Sequence, residues 1–148
     1  MSDVKIKIQN LYKIFGKNPE AVLEIVKNGI SKDELLEKHN HVLGLNNINL
    51  NIYPKSIQVI MGLSGSGKST LIRHVNRLIE PTFGSITVDS EDVLKMSELE
   101  LRNFRRSKTA MVFQRFALLP HKTVLQNTVF GLHIPVSYTH LTLPTTVR

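Results

Sequence analysis

Four residues at fixed spacing carry the first chemical signal. Gly62, Gly67, Lys68 and Ser69 satisfy G-x-x-x-x-G-K-[ST] within GLSGSGKST, residues 62–70. At ordinary residue frequencies such a match arises by chance in roughly one chain in 200 of this length. Gly62, Gly65 and Gly67 let the backbone take turns that a Cβ would obstruct, so successive N–H groups can point at one anion. The first turn of a following helix adds unpaired N–H donors and the positive end of its dipole. The dipole contributes about 0.3–1 kcal/mol and each hydrogen bond to a charged group about 1.5–3 kcal/mol, so the hydrogen bonds dominate. The candidate binding set is therefore the whole run: Gly62, Leu63, Ser64, Gly65, Ser66, Gly67, Lys68, Ser69 and Thr70. Lys68 is expected to reach the β- and γ-phosphates of a nucleotide, and Ser69 to set its hydroxyl on Mg²⁺.

Such a loop works only between a strand and a helix. Ile57 to Met61 is a short, mostly apolar run that reads as a buried parallel strand ending at the glycines. From Lys68 onward Leu71, Val75, Leu78 and Ile79 follow helical spacing and stop before Pro81. Upstream, Val4, Ile6 and Ile8 alternate with lysines, and Ile48, Leu50 and Ile52 alternate with asparagines, which predicts two strands of an antiparallel sheet with one wet face. Between them residues 19–39 read as two short amphipathic helices packing on that sheet. Asn18-Pro19 opens the first and Gly29 closes it; Ser31 with Glu34 makes a capping box for the second, which carries Leu35 and Leu36. Pro81 to Gly84 reads as a turn, and Ile86 with Val88 as a strand. Ser97 and Glu100 cap a helix carrying Leu99, Leu101 and Phe104, and Thr109 to Phe113 reads as a further buried strand. Strand, glycine loop, helix and later strands predict an α/β architecture.

Bulk properties exclude several classes. The chain has 148 residues, 41% hydrophobic and 21% charged, enough for one domain with a core. Without cysteine it can form neither disulfides nor thiolate metal sites. No apolar run approaches the roughly 18–20 residues that span a bilayer, and the opening MSDVKIKIQN lacks the apolar core of a signal peptide, so any tie to a membrane is expected to run through partner subunits. The net charge of +7 fits nucleic acid, an anionic membrane face or a polyanionic small ligand. The absence of tryptophan and of basic runs interleaved with aromatics speaks against nucleic acid.

Three strings identify a relationship: NLYKIFG at 10–16, VIMGLSGSGKSTLIRHVNRLIEPTFGSI at 59–86 and AMVFQRFALLPHKTVLQNTVFGL at 110–132. Together they resemble the ATP-binding subunits of ABC transporters, and within them the glycine betaine/L-proline uptake group, whose helical insertion is similar to residues 17–41 here. The resemblance implies an α/β P-loop NTPase core of the ABC-type nucleotide-binding domain, with an N-terminal antiparallel β subdomain, over residues 1–135. It implies ATP and Mg²⁺ as cofactors. The partners it implies are a second ATP-binding subunit and transmembrane permease subunits, at the cytoplasmic face of the plasma membrane. Phe15 matches the aromatic that stacks on adenine, with Tyr12 the second choice. Gln114 matches the catalytic glutamine that reaches the metal and the attacking water, and Phe116 to Val124 match the surface that receives the permease. Asp89 follows an alternating run instead of the apolar run a metal-binding aspartate needs, so it is expected to start a turn. His121 and His133 lack paired ligand spacing.

The resemblance stops near Leu132. No LSGGQ-type signature, no apolar run ending Asp-Glu and no later switch histidine is present, so the reading is a domain truncated before its helical subdomain and inactive alone. Val136 to Thr145 resembles a translated sequencing-adapter sequence, which predicts a non-native tail over 136–148. The strand that would carry the acidic pair lies, in this family, beside the glycine-loop strand; without it, strand edges and apolar faces should be exposed. Two other readings stay open on the residues alone. One is a small P-loop metabolite kinase; the other is a basic nucleic-acid-binding module built on Arg102, Arg105, Arg106 and Lys108.

Overall fold

Residues 4–112 and 118–130 are described in the computed structural model, and they divide between two units, Met1–Arg102 and Asn103–Arg148. In the first unit β1 (Ile6–Phe15) carries the alternation read from the sequence, and Ile8 and Leu11 are fully buried. Its pairing register breaks between Ile8 and Lys13, around Asn10 with φ 48°. Consecutive residues Leu11 and Tyr12 are therefore both buried, and the parity of the strand changes. Beyond the break Tyr12 and Ile14 belong to a core with Val22, Leu23, Val26, Leu35 and Leu43.

That core fastens the helical stretch. A 3₁₀ turn over Pro19–Val22 runs into α1 (Leu23–Lys27), and α2 (Lys32–His39) follows. Pro19 takes the first helical position as expected, but Asn18 makes no side-chain cap bond, because its φ of 51° is left-handed and not the extended geometry an N-cap needs. The second cap forms at Ser31: the Glu34 N–H donates to Ser31 Oγ at 3.1 Å, and Glu34 Oε2 accepts from the Ser31 hydroxyl, not from its backbone N–H, at 3.2 Å. A cap of this kind is worth about 1 kcal/mol, whereas each buried aliphatic side chain contributes about 1.5–3 kcal/mol. Apolar packing holds these helices to their own sheet.

β2 (Val42–Ile52) runs antiparallel to β1, with Ile6 opposite Ile52 and Ile8 opposite Leu50. α3 (Lys68–Val75) is shorter than the apolar spacing suggests. Arg77 turns left-handed at φ 48°, its N–H reaching the His74 carbonyl and that of Leu78 reaching Arg73, which closes the helix and sends Leu78 and Ile79 into the next loop. β3 (Phe83–Val88) pairs with the other side of β1, and a two-residue turn leads to β4 (Glu91–Asp92). Asp89 and Ser90 form that turn at φ 50° and 69°, so Asp89 is a hairpin residue whose carboxylate meets Lys5 Nζ at 2.6 Å. Among the described residues the sheet order is β2-β1-β3-β4, antiparallel throughout.

Among the described residues two expected strands do not form. Ile57 to Met61 is irregular, with Ile57 93% and Met61 87% exposed, and the described part of 109–113 is irregular too, with Val112 exposed. A buried parallel strand exists only through its neighbours, and among the described residues neither run has one. α4 (Glu98–Ser107) begins at the expected box, Ser97 N–H and Oγ both donating to Glu100 Oε2 at 2.8 and 2.7 Å.

In the second unit α5 (Val124–Thr128) starts at a Thr123–Gln126 capping box. The Asn127 side chain pins the preceding loop, accepting from the Leu119 N–H at 2.8 Å and donating to the carbonyls of Leu119, Lys122 and Thr123. Gln114, Phe116 and the tail 136–148 lie outside the described residues.

Candidate functional site

The glycine run leaves an exposed turn, in which the Ser66 N–H donates to the Leu63 carbonyl at 3.3 Å, and ends on α3. Gly67 occupies the N-cap at φ 92° and offers no side-chain acceptor, so the first N–H groups of α3 have no cap. The same residue touches the sheet. A Cβ on Gly67 would stand 2.6 Å from the Gly44 carbonyl oxygen and 3.1 Å from Leu45 Cδ2. Gly65, at φ 77°, has nothing near it. One glycine therefore serves the turn, and the other both the turn and the docking of loop on strand.

Lys68 folds back over the loop. Its Nζ donates to the Gly62 carbonyl at 2.7 Å, the Leu63 carbonyl at 2.6 Å and Ser66 Oγ at 3.3 Å. An ammonium has three donors, and all three are engaged. Ser69 and Ser64 are exposed, while Thr70 is half-buried and its carbonyl accepts from His74 Nδ1 at 2.7 Å. His74 is fully buried and its Nε2 has no hydrogen-bond partner. Burial pushes its pKa down, helped by the Lys13 ammonium and opposed by the Thr70 carbonyl and by Glu80. The imidazole is neutral inside the domain and braces the first turn of the loop helix. Sequence reasoning passed over it, although its place one turn after Leu71 on the apolar face of α3 marks it as a core residue.

The two aromatic candidates separate. Phe15 is 39% exposed at the end of β1, its ring edge lying at Gly44. Tyr12 is 7% exposed, packed edge-on against Phe83 with ring centroids 6.3 Å apart, and belongs to the core. Its burial in that core leaves no open ring face for a base and counts against Tyr12 as a stacking residue. Gly44 joins Phe15 to Gly67 and was not foreseen; its signal was a glycine inside an otherwise alternating strand.

Among the described residues no group of three or more His, Asp or Glu side chains could hold an ion. Mg²⁺ commonly takes one or two protein oxygens and completes its shell with water and phosphate oxygens, a requirement the Ser69 hydroxyl fits. No helix among the described residues is long and apolar enough to cross a membrane.

Comparison with known proteins agrees with this geometry. Residues 45–146 match the ABC transporter family. The glycine betaine/proline betaine transport system ATP-binding protein ProV of Escherichia coli (strain K12) is 53% identical over 131 residues, 88% of this chain and 33% of that protein. The glycine betaine transport ATP-binding protein OpuAA of Bacillus subtilis (strain 168) is 48% identical, over 88% of this chain and 31% of its own length. The chain thus spans about a third of the curated relatives it matches. Among solved structures, the ATP-binding cassette MJ0796, as a post-hydrolysis dimer with ADP and Pi, superposes with a TM-score of 0.69 at 29% identity, covering 94% of this chain and 50% of that one. With an exposed glycine loop seated on a sheet, a lysine closing it and a match over residues 45–146, this chain belongs to the ABC transporter family.

Proposed function

We propose that this chain is the nucleotide-gripping portion of an ATP-binding subunit that drives uptake of a compatible solute such as glycine betaine or proline. The observation that carries the reading is the loop itself: Gly62 to Ser66 and Ser69 are exposed, Gly67 leaves the helix N-terminus uncapped, and Lys68 stands over the loop. ATP is held by its phosphates at the N–H groups of the loop and the first turn of α3, with Lys68 on the β- and γ-phosphates. Ser69 holds Mg²⁺, which when bound neutralises phosphate charge. Phe15 stacks on the base, and Gln114, if placed as in its family, orients the attacking water. The solute assignment rests on the names of the similar proteins ProV and OpuAA. The family match sets aside the metabolite-kinase reading.

A second ATP-binding subunit and permease subunits are the partners of this reading, at the cytoplasmic face of the membrane. The permease would meet the loop before α5, where the exposed Leu118 and Val124 line an apolar pocket of about 300 Å³ whose wall Asn127 ties down. Nucleic acid is not among the partners. No carboxylate base or signature segment accompanies the loop in this sequence, so the chain binds nucleotide without turning it over.

Calorimetric titration with Mg-ATP tests the reading. Lys68→Ala is expected to weaken binding about 10- to 100-fold, the loss of one or more hydrogen bonds to charge. Equal affinity in the variant and the parent chain, or no binding by the parent, refutes it.

A further inference from the structure

Past the register break β1 presents Lys13 and Phe15 on the side opposite the buried Tyr12 and Ile14. The Lys13 ammonium lies over the Phe15 ring, 5.1 Å from its centroid. It also donates to the Glu80 carbonyl oxygen at 2.8 Å. Glu80 follows α3, and its carboxylate accepts from Arg77 Nε at 2.6 Å, while Arg77 donates to the Val93 and Met96 carbonyls at 3.2 and 2.7 Å. The ammonium is thus tethered to a fixed carbonyl. Partial burial lowers the Lys13 pKa, opposed by the Glu80 carboxylate, and a less hydrated cation is attracted more strongly to a ring face. The ring's edge is held as well, since a Cβ at Gly44 would come within 2.6 Å of Phe15 Cε2. Protein holds one edge and a cation covers one face; part of the ring remains open to solvent.

We propose that Lys13 is a positioning residue for the nucleobase: tethered to Glu80, it fixes the Phe15 ring so that the ring's other face receives the base. The inference rests on the stacking role given to Phe15 and assigns Lys13 to the base half of the ligand, apart from the phosphates. It also links the base-stacking residue to the segment that closes the phosphate-loop helix, through one ammonium on one carbonyl.

The test compares Mg-ATP with Mg-tripolyphosphate, which has the phosphates and no base, by calorimetry on the 148-residue chain and its variants Lys13→Met, Lys13→Arg and Phe15→Ala. Lys13→Met is expected to weaken Mg-ATP binding about two- to fivefold, the range a partly exposed cation–π contact commands, and to leave tripolyphosphate unchanged. Lys13→Arg, which keeps the cation, restores ATP binding. Equal weakening toward both ligands shows a merely structural lysine and overturns the proposal. So does unchanged ATP binding, or tighter binding, which would mean the ammonium covers the face a base needs. Phe15→Ala separates the two levels: weaker ATP binding there with none in Lys13→Met sinks Lys13 alone, and no effect of Phe15→Ala sinks the stacking reading itself.

Discussion

Gly67 and Gly65 offer a matched pair of perturbations. Both have left-handed φ, 92° and 77°, so alanine at either position bears a backbone cost of roughly 1–2 kcal/mol. Only Gly67 adds a collision, its Cβ falling 2.6 Å from the Gly44 carbonyl oxygen, an atom of the central sheet that cannot swing aside as a side chain would. Forcing an extra carbon into such a contact costs about 1–3 kcal/mol more. The total for Gly67→Ala is then about 2–5 kcal/mol, against about 1–2 kcal/mol for Gly65→Ala. For a chain near 150 residues each kcal/mol moves Tm by about 2–4 °C, so the expected losses are about 4–20 °C and about 2–8 °C. Thermal unfolding followed by circular dichroism measures both under one set of conditions. If Gly67→Ala melts at or above Gly65→Ala, the loop is not seated on Gly44 as described.

Two further outcomes follow from the buried imidazole and from the residues that accompany the loop. The folded His74 pKa lies below its ordinary 6.5, so the unfolded chain binds the proton first and stability falls as pH drops from neutrality through 6.5. The carboxylates of Glu34, held down by Lys38 and Ser31, and of Glu100, held down by Ser97, act only lower, their stabilisation being lost as pH falls below 4.5. Urea unfolding at pH 7.5, 6.5 and 5.5 should therefore show a slope that His74→Leu flattens; a slope unchanged in that variant contradicts the buried neutral histidine. In a coupled phosphate-release assay the purified chain should show no ATP turnover above background, and robust hydrolysis would refute the account of binding without catalysis.

Local signals were legible where local physics decides. The caps at Ser31 and Ser97 and the turn at Asp89 depend on a few neighbouring residues, and each formed where its residue types stand. The strands around Ile8 and Leu50 followed from alternation, because one face of an antiparallel sheet can stay wet. Tyr12 was taken from the family resemblance and not from alternation, which already groups it with the apolar Ile6, Ile8 and Ile14. What alternation does not give is the burial of Leu11 beside it, because the break at Asn10 leaves no mark in residue type beyond an asparagine that tolerates positive φ. Asn18 failed for a related reason: its side chain suits a cap, but the backbone there is left-handed. Ile57 to Met61 failed differently. Its apolar run reads as a central strand, yet a parallel strand is a property of its neighbours and not of its own residues.

That exposed run changes what Lys68 has to do. On its C-terminal side the glycine loop is anchored by α3 and by Gly67 against Gly44. On its N-terminal side it continues from residues 57–61, which no described strand holds. The bonds from Lys68 to the Gly62 and Leu63 carbonyls are what tie that loose end to the helix. An arriving phosphate must therefore compete for donors that are already spent on closing the loop. On the proposed reading, a single phosphate offers one charged group for that exchange, whereas a triphosphate would also reach the uncapped N–H groups of α3 and recover more than it displaces. The proposed grip then favours the longer anion through the same lysine that keeps the loop shut.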